Sequence, residues 1–128
     1  MKYLLDTHAL LWSADDDPRL GRRARDTILD DASTLTVSVA SAWELSIKTG
    51  AGKLVLAPTA VKWFTQATRL GRIQVLAVEL DHLDELESLP RHHGDPFDRL
   101  MICQARALGL TIITRDRAFS DYDVDTLW

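Results

Sequence analysis

Between Arg91 and Asp116 the chain spells out loop, helix, turn, strand and acidic loop, and this unit restricts the possible folds more than any other stretch. Asp95 followed by Pro96 is a strong helix start: the carboxylate can cap free N–H groups, and proline is pre-set for the first turn. Gly109 ends the helix, because a residue without Cβ takes the left-handed cap conformation easily. Leu110 to Thr114 is short, apolar and β-branched, as a buried parallel strand requires. Asp98 then lies in the first helical turn and Asp116 just past the strand. Helical spacing puts Asp98 on one face with Met101, Ile102, Ala105 and Leu108, a face expected to point at the sheet. Leu100, Cys103 and Ala107 form a second apolar stripe on the opposite side. That stripe needs its own cover, either another helix of this chain or a second subunit.

The rest of the chain repeats the alternation. Lys2 to Leu5 predicts a strand ending in Asp6, and His8 to Ala14 a helix. Pro18 predicts the start of a helix through the arginine-rich RLGRRARDTILDD segment. Leu35 to Val37 predicts a second strand, passing into the helix ASAWELSIKTG. Pro58 predicts a helix start before Val61, Trp63, Phe64 and Ala67, with Gly71 as its stop. Ile73 to Val78 predicts a third strand, Leu80 to Leu89 an amphipathic helix, and Val124 to Trp128 an edge strand. Short strands alternating with helices specify an α/β fold, a parallel sheet covered on both faces.

All 128 residues fit one domain with one sizeable core. Composition excludes little beyond this: net charge is −4, 46% of residues are hydrophobic, and no run is long and apolar enough to span a membrane. The opening MKYLLDTHALLW is interrupted by Asp6 and His8 and lacks a small-residue cleavage site, so it is not expected to be a signal peptide. One cysteine excludes an internal disulfide and is compatible with a cytoplasmic location. The acidic balance argues against nucleic-acid binding by net charge, although the arginine-rich bases leave room for a local basic surface.

In parallel α/β sheets, function sits beyond the carboxyl ends of the strands. That rule selects four acids: Asp6 after the first strand, Glu44 in the helix after the second, Asp98 opening the helix before the fourth, and Asp116 after the fourth. Crowded carboxylates must take up protons or a cation. Oxygen-only ligands favour Mg²⁺ or Mn²⁺, ions that polarise a phosphodiester and stabilise its leaving oxygen. Adjacent His92 and His93 have no partners at zinc-ligand spacing.

The segments MKYLLDTHALLW, SAWELSIKTGAGKL, HHGDPFDRLMICQA and IITRD, in this order and across nearly the whole length, resemble the PIN-domain ribonucleases of the VapC toxin type. The resemblance implies a three-layer α/β/α sandwich with a mostly parallel central sheet, in a single domain from residue 1 to 128. It further implies a Mg²⁺- or Mn²⁺-dependent endoribonuclease acting on RNA, a cognate VapB-like antitoxin, and pairing as a homodimer. By motif, Asp6, Glu44, Asp98 and Asp116 fall on the family's four acidic positions and are the expected catalytic and metal-binding residues. Asp95 is an extra carboxylate, read first as a helix cap.

Several residues keep two readings. Glu44 is either a metal ligand or half of an ion pair with Lys48 on a solvated face. Ser41 and Lys48 share that face, so Lys48 can instead meet the acids or an RNA backbone. The Thr114 hydroxyl can orient a metal water or satisfy backbone. The arginines from Arg19 to Arg25 are a solvated helix face or a contact for RNA phosphates or antitoxin acids. Trp12, Trp43 and Trp63 are read as core or interface packing and Cys103 as a packed hydrophobe. The antitoxin is expected to cover apolar surface around Trp12, Trp63 or Phe64 and to reach the acids with a basic side chain. Rival functions are a PIN nuclease of RNA maturation without antitoxin, a PIN domain that binds without cleaving, and a phosphoacceptor receiver domain. The last lacks its paired acids and Lys-Pro here.

Overall fold

A computed structural model describes residues 1–128. Five strands form one sheet: β1 (Lys2–Leu5), β2 (Thr34–Ser38), β3 (Gln74–Leu76), β4 (Thr111–Ile113) and β5 (Thr126–Leu127). Their order is β3-β2-β1-β4-β5, and all four pairings are parallel. The helices are α1 (Thr7–Ala14), α2 (Arg22–Leu29), α3 (Val39–Gly50), α4 (Ala60–Leu70), the single turn α5 (Leu80–Leu83) and α6 (Pro96–Leu108). A 3₁₀ turn, Arg117–Asp121, follows β4.

From β1 the sheet grows outward through β2 to β3, then returns to add β4 and β5 on the other side. Right-handed crossovers run in opposite directions therefore put their helices on opposite faces. The side chains record this. In β1, Leu5 joins a core with Leu10, Ala24, Leu45 and Phe64, from the four helices α1 to α4. Its neighbour Leu4 joins a separate core with Met101, Ile102 and Phe119. Ile113 and Ile112, paired in register with Leu5 and Leu4, divide the same way. The sandwich is three-layered, and a one-residue slip of β1 would exchange its two cores.

α6 begins and ends where its sequence demands. The Asp95 carboxylate accepts from the Phe97 and Asp98 N–H groups at 2.9 and 3.1 Å, and Gly109 closes the helix at φ 65°. Its faces differ from expectation in part. Met101, Ile102 and Ala105 are buried, but Leu108 is 45% exposed. The opposite stripe is broken, with Cys103 buried inside this chain, Leu100 half-buried and Ala107 exposed. It is not a continuous contact for a second subunit. An uncovered apolar stripe lies on α3, where Val39, Trp43 and Ile47 are 42, 62 and 48% exposed at four-residue spacing.

Two expected helices are shorter than their patterns suggest. The Pro18 segment is a turn, because the Asp17 carboxylate folds onto the backbone N–H and guanidinium of Arg19; the helix starts only at Arg22. The Leu80 to Leu89 helix stops at Leu83. Past that point the chain turns around Arg99, which lies buried on α6. Its guanidinium donates to the carbonyls of Pro90 at 2.8 Å and Leu89 at 3.1 Å, more weakly to those of Leu86 and His93, and to the Tyr122 hydroxyl at 3.3 Å. No carboxylate pairs with it.

Candidate active site

β1 and β4 are neighbours, and β1 is where the winding of the sheet changes direction. A crevice outside their carboxyl ends is the site that this topology provides. Asp6 leaves β1 as the N-cap of α1, with Oδ1 accepting from the Ala9 N–H at 2.7 Å, and its own N–H donates to the Ile113 carbonyl at 3.1 Å. Asp6 is buried, and burial pushes its carboxyl up from the ordinary value. The neighbouring Thr114 hydroxyl and the Ala9 N–H act in the opposite direction.

Glu44 arrives from α3 with only 12% of its side chain exposed. The Thr7 hydroxyl donates to Oε1 at 2.7 Å, and Lys48 Nζ meets Oε2 at 2.9 Å. Ser41 Oγ stands 3.0 Å from the Thr7 hydroxyl oxygen and can donate to it, completing a chain Ser41–Thr7–Glu44. The Lys48 pair foreseen for Glu44 therefore exists, on a largely covered face instead of a solvated one. Thr7 is the site residue that sequence reasoning missed; its one signal was its place directly after the first strand-end acid. Thr114 is also engaged, its oxygen accepting from the Asp116 N–H at 3.0 Å. The exposed Asp116 carboxylate in turn caps the 3₁₀ turn through the Ala118 N–H at 2.9 Å.

Asp98 ties the group together. Its carboxyl is pushed up to about 7, first by burial and then by the charges of Asp95, Asp6, Glu44 and Asp116. The other three acids selected from the sequence thus act on Asp98, and Glu44 acts on Asp6 as well. Asp95 adds its field from the helix cap, where its Oδ1 is occupied by two backbone N–H groups. The donor chemistry fits a hard divalent cation: oxygen-only, crowded and short of positive charge. No three of these carboxylates already converge on one coordinating point. His92 and His93 lie in the loop before α6, edge-on to Tyr122 at 4.8 and 5.6 Å, away from metal duty.

The sequence pattern of the PIN domain matches residues 3–125, and the chain belongs to the PIN domain family. That membership sets the receiver-type reading aside. No curated protein sequence matches the chain. Among solved structures, it is similar to a chain of VapBC2 from Rickettsia felis, a structure bound to a DNA fragment from their promoter. Identity there is 16%, coverage 99% of this chain and 98% of that one, and the TM-score 0.74. It is similar at 18% identity to DNA-bound VapBC from Salmonella typhimurium, with coverage of 99% and 97% and a TM-score of 0.69. A third similarity is to VapBC-5 of Mycobacterium tuberculosis, a member of the VapBC family of toxin–antitoxin systems. It has 16% identity, coverage of 98% and 97% and a TM-score of 0.62.

Proposed function

We propose that the chain is a metal-dependent endoribonuclease and the toxin of a toxin–antitoxin pair, working in the cytoplasm. The observation that carries this reading is Asp98, set at the crevice edge and raised to about 7 first by burial and then by the charges of Asp95, Asp6, Glu44 and Asp116. These four would hold the ion. A bound Mg²⁺ or Mn²⁺ supplies Lewis-acid stabilisation of the charge that builds on an attacked phosphodiester. The chain supplies orientation. Thr7 and Lys48 fix the two oxygens of Glu44, and Thr114 ties the Asp6 carboxyl to the backbone of Asp116. Asp95 remains a cap that keeps the local charge negative.

The solved toxin–antitoxin relatives support a VapB-like protein partner. Phe64 cannot be its contact, because Phe64 is buried in the core. An apolar groove of about 450 Å³ between α1, α2 and α4, with Leu10, Ile28, Leu29, Ala67 and Leu70 in its walls, is a better seat. A PIN nuclease of RNA maturation would lack such a partner. The test is to incubate the purified chain with single-stranded RNA and with DNA of the same sequence, in Mg²⁺, Mn²⁺ or EDTA. Expected is cleavage of RNA alone, only with a metal ion, and slowed in a complex with the product of the neighbouring small gene. A chain inert with both ions overturns the nuclease reading, and a complex as active as the free chain overturns inhibition.

The homodimer is also proposed, with its contact moved from α6 to the Val39, Trp43 and Ile47 stripe of α3. Trp43 packs edge-on to Phe97 at 5.0 Å, so this stripe continues onto the start of α6. Light scattering over a dilution series is expected to give a dimer for the native chain and a monomer for Trp43→Glu. A dimer undisturbed by that charge removes the α3 contact.

A further inference from the structure

Beside Asp116 the surface changes sign. A cavity of about 530 Å³ is bounded by Arg23 of α2, by Arg115 and Arg117 on either side of Asp116, and by Thr114 and Trp128. None of the three guanidinium groups pairs with a carboxylate, although Arg19, Arg25, Lys48 and Arg106 all do. One acid faces three free cations, in a chain whose net charge is −4. The aromatic wall is fixed. Trp128 meets Trp12 edge-on at 5.7 Å, and a Cβ added to Gly21 would come within 2.6 Å of the Trp128 ring. Arg115 stands over the Trp12 ring at 5.8 Å, which holds its charge at the cavity rim. At the other end of β4 and β5, the cavity around Arg106 is a contrast: its guanidinium is neutralised by Glu85 and Asp123.

We propose that this cavity is a phosphate subsite for single-stranded RNA, gripping a backbone phosphate next to the one presented to the acids, with Trp128 as a face for the attached base. The inference rests on the nuclease reading and assigns the substrate's direction of approach. Guanidinium forks match phosphate oxygens two at a time, and an aromatic wall accepts any base. The subsite also answers an electrostatic difficulty: four crowded acids repel an RNA backbone, and an adjacent cationic pocket draws it past them.

The test uses binding as well as turnover. In an Asp98→Asn background, which stops cleavage, a fluorescein-labelled single-stranded RNA is titrated by anisotropy at several salt concentrations, with Mg²⁺ present. Arg23→Ala with Arg117→Ala is expected to weaken binding about tenfold and to flatten the slope of log K against log salt by about 0.7 for each phosphate that no longer meets a guanidinium. Lysine at both positions is expected to restore the slope, and the melting temperature is expected to stay unchanged. Equal affinity and slope in the alanine pair overturn the subsite, as does an Asp98→Asn chain that binds no RNA. Loss of antitoxin binding with RNA binding intact also overturns it, giving the pocket to the partner's acids. The nuclease reading fails separately, if the native chain leaves RNA intact.

Discussion

Asp98→Asn is expected to lower metal-dependent RNA cleavage by about a thousandfold while making the metal-free protein more stable. The second half follows from the sign of the linkage. The folded carboxyl titrates at about 7 against an ordinary 3.8, so between those values the folded chain keeps a proton that the unfolded chain has released. Stability is unaffected below about pH 4, falls as the pH rises toward 7, and stays reduced above it. Asparagine carries no charge at any pH and escapes that loss. Because Asp98 is partly exposed, solvent screening reduces the gain to about 1–2 kcal/mol, or about 4–8 °C in the unfolding midpoint at pH 8. The gain disappears at pH 4. Scanning calorimetry in EDTA at the two pH values checks it. A midpoint that falls at pH 8 would show that the carboxylate is not held against its neighbours, and native cleavage rates in the variant would remove Asp98 from the machinery.

Arg99→Met is expected to be among the most damaging single changes to the fold. The methionine fills much of the same space, but it leaves the carbonyls of Leu89 and Pro90 and the Tyr122 hydroxyl without a donor. Buried acceptors stripped of a charged partner cost about 1–3 kcal/mol each, for a total of about 3–5 kcal/mol. The unfolding midpoint is then expected to drop about 10–20 °C. Arg99→Lys is expected to recover only part of this, since one ammonium cannot reach carbonyls arranged around a planar fork. Thermal denaturation followed by circular dichroism decides, and a variant melting within about 2 °C of the native chain would show that water replaces the guanidinium at little cost.

Arg99 also marks the limit of what the sequence disclosed. Local rules worked where the cause was local. The Asp95 cap, the Gly109 stop and the apolar strands each follow from a residue and its immediate neighbours, and α6 runs from Pro96 to Leu108 as they require. They failed where the cause lay elsewhere in the chain. No pattern between Leu80 and Leu89 announces that its carbonyls belong to an arginine on the next helix. Likewise, Leu108 fits the inward face by spacing yet is exposed, while Gln104 is wholly buried, its amide donating to the Ala77 carbonyl at 3.3 Å. Among the candidate acids, Asp6 and Asp116 could be placed from the sequence because each follows a strand and Asp98 because it opens a helix, whereas Glu44 lies midway along α3. Thr7 could not be, because its importance comes from Ser41 and Glu44 of α3, far along the chain. Arg115 and Arg117 were hidden too, and Arg23, weighed only as one of the arginines from Arg19 to Arg25, meets them because the fold lays α2 against the turn after β4.

The central position of β1 has a consequence for the cell that makes this chain. Of the five strands, the first to be synthesised becomes the middle of the sheet, but its neighbour β4 is the fourth. Asp6 and Glu44 come early in this order, whereas Asp98 and Asp116 follow only after β3. Until Asp98 has been made, a nascent chain therefore holds at most half of the four acids, however far it has folded. If the proposed activity is toxic, its assembly waits until the last of the four acids has been made, which leaves a partner translated alongside it time to arrive first.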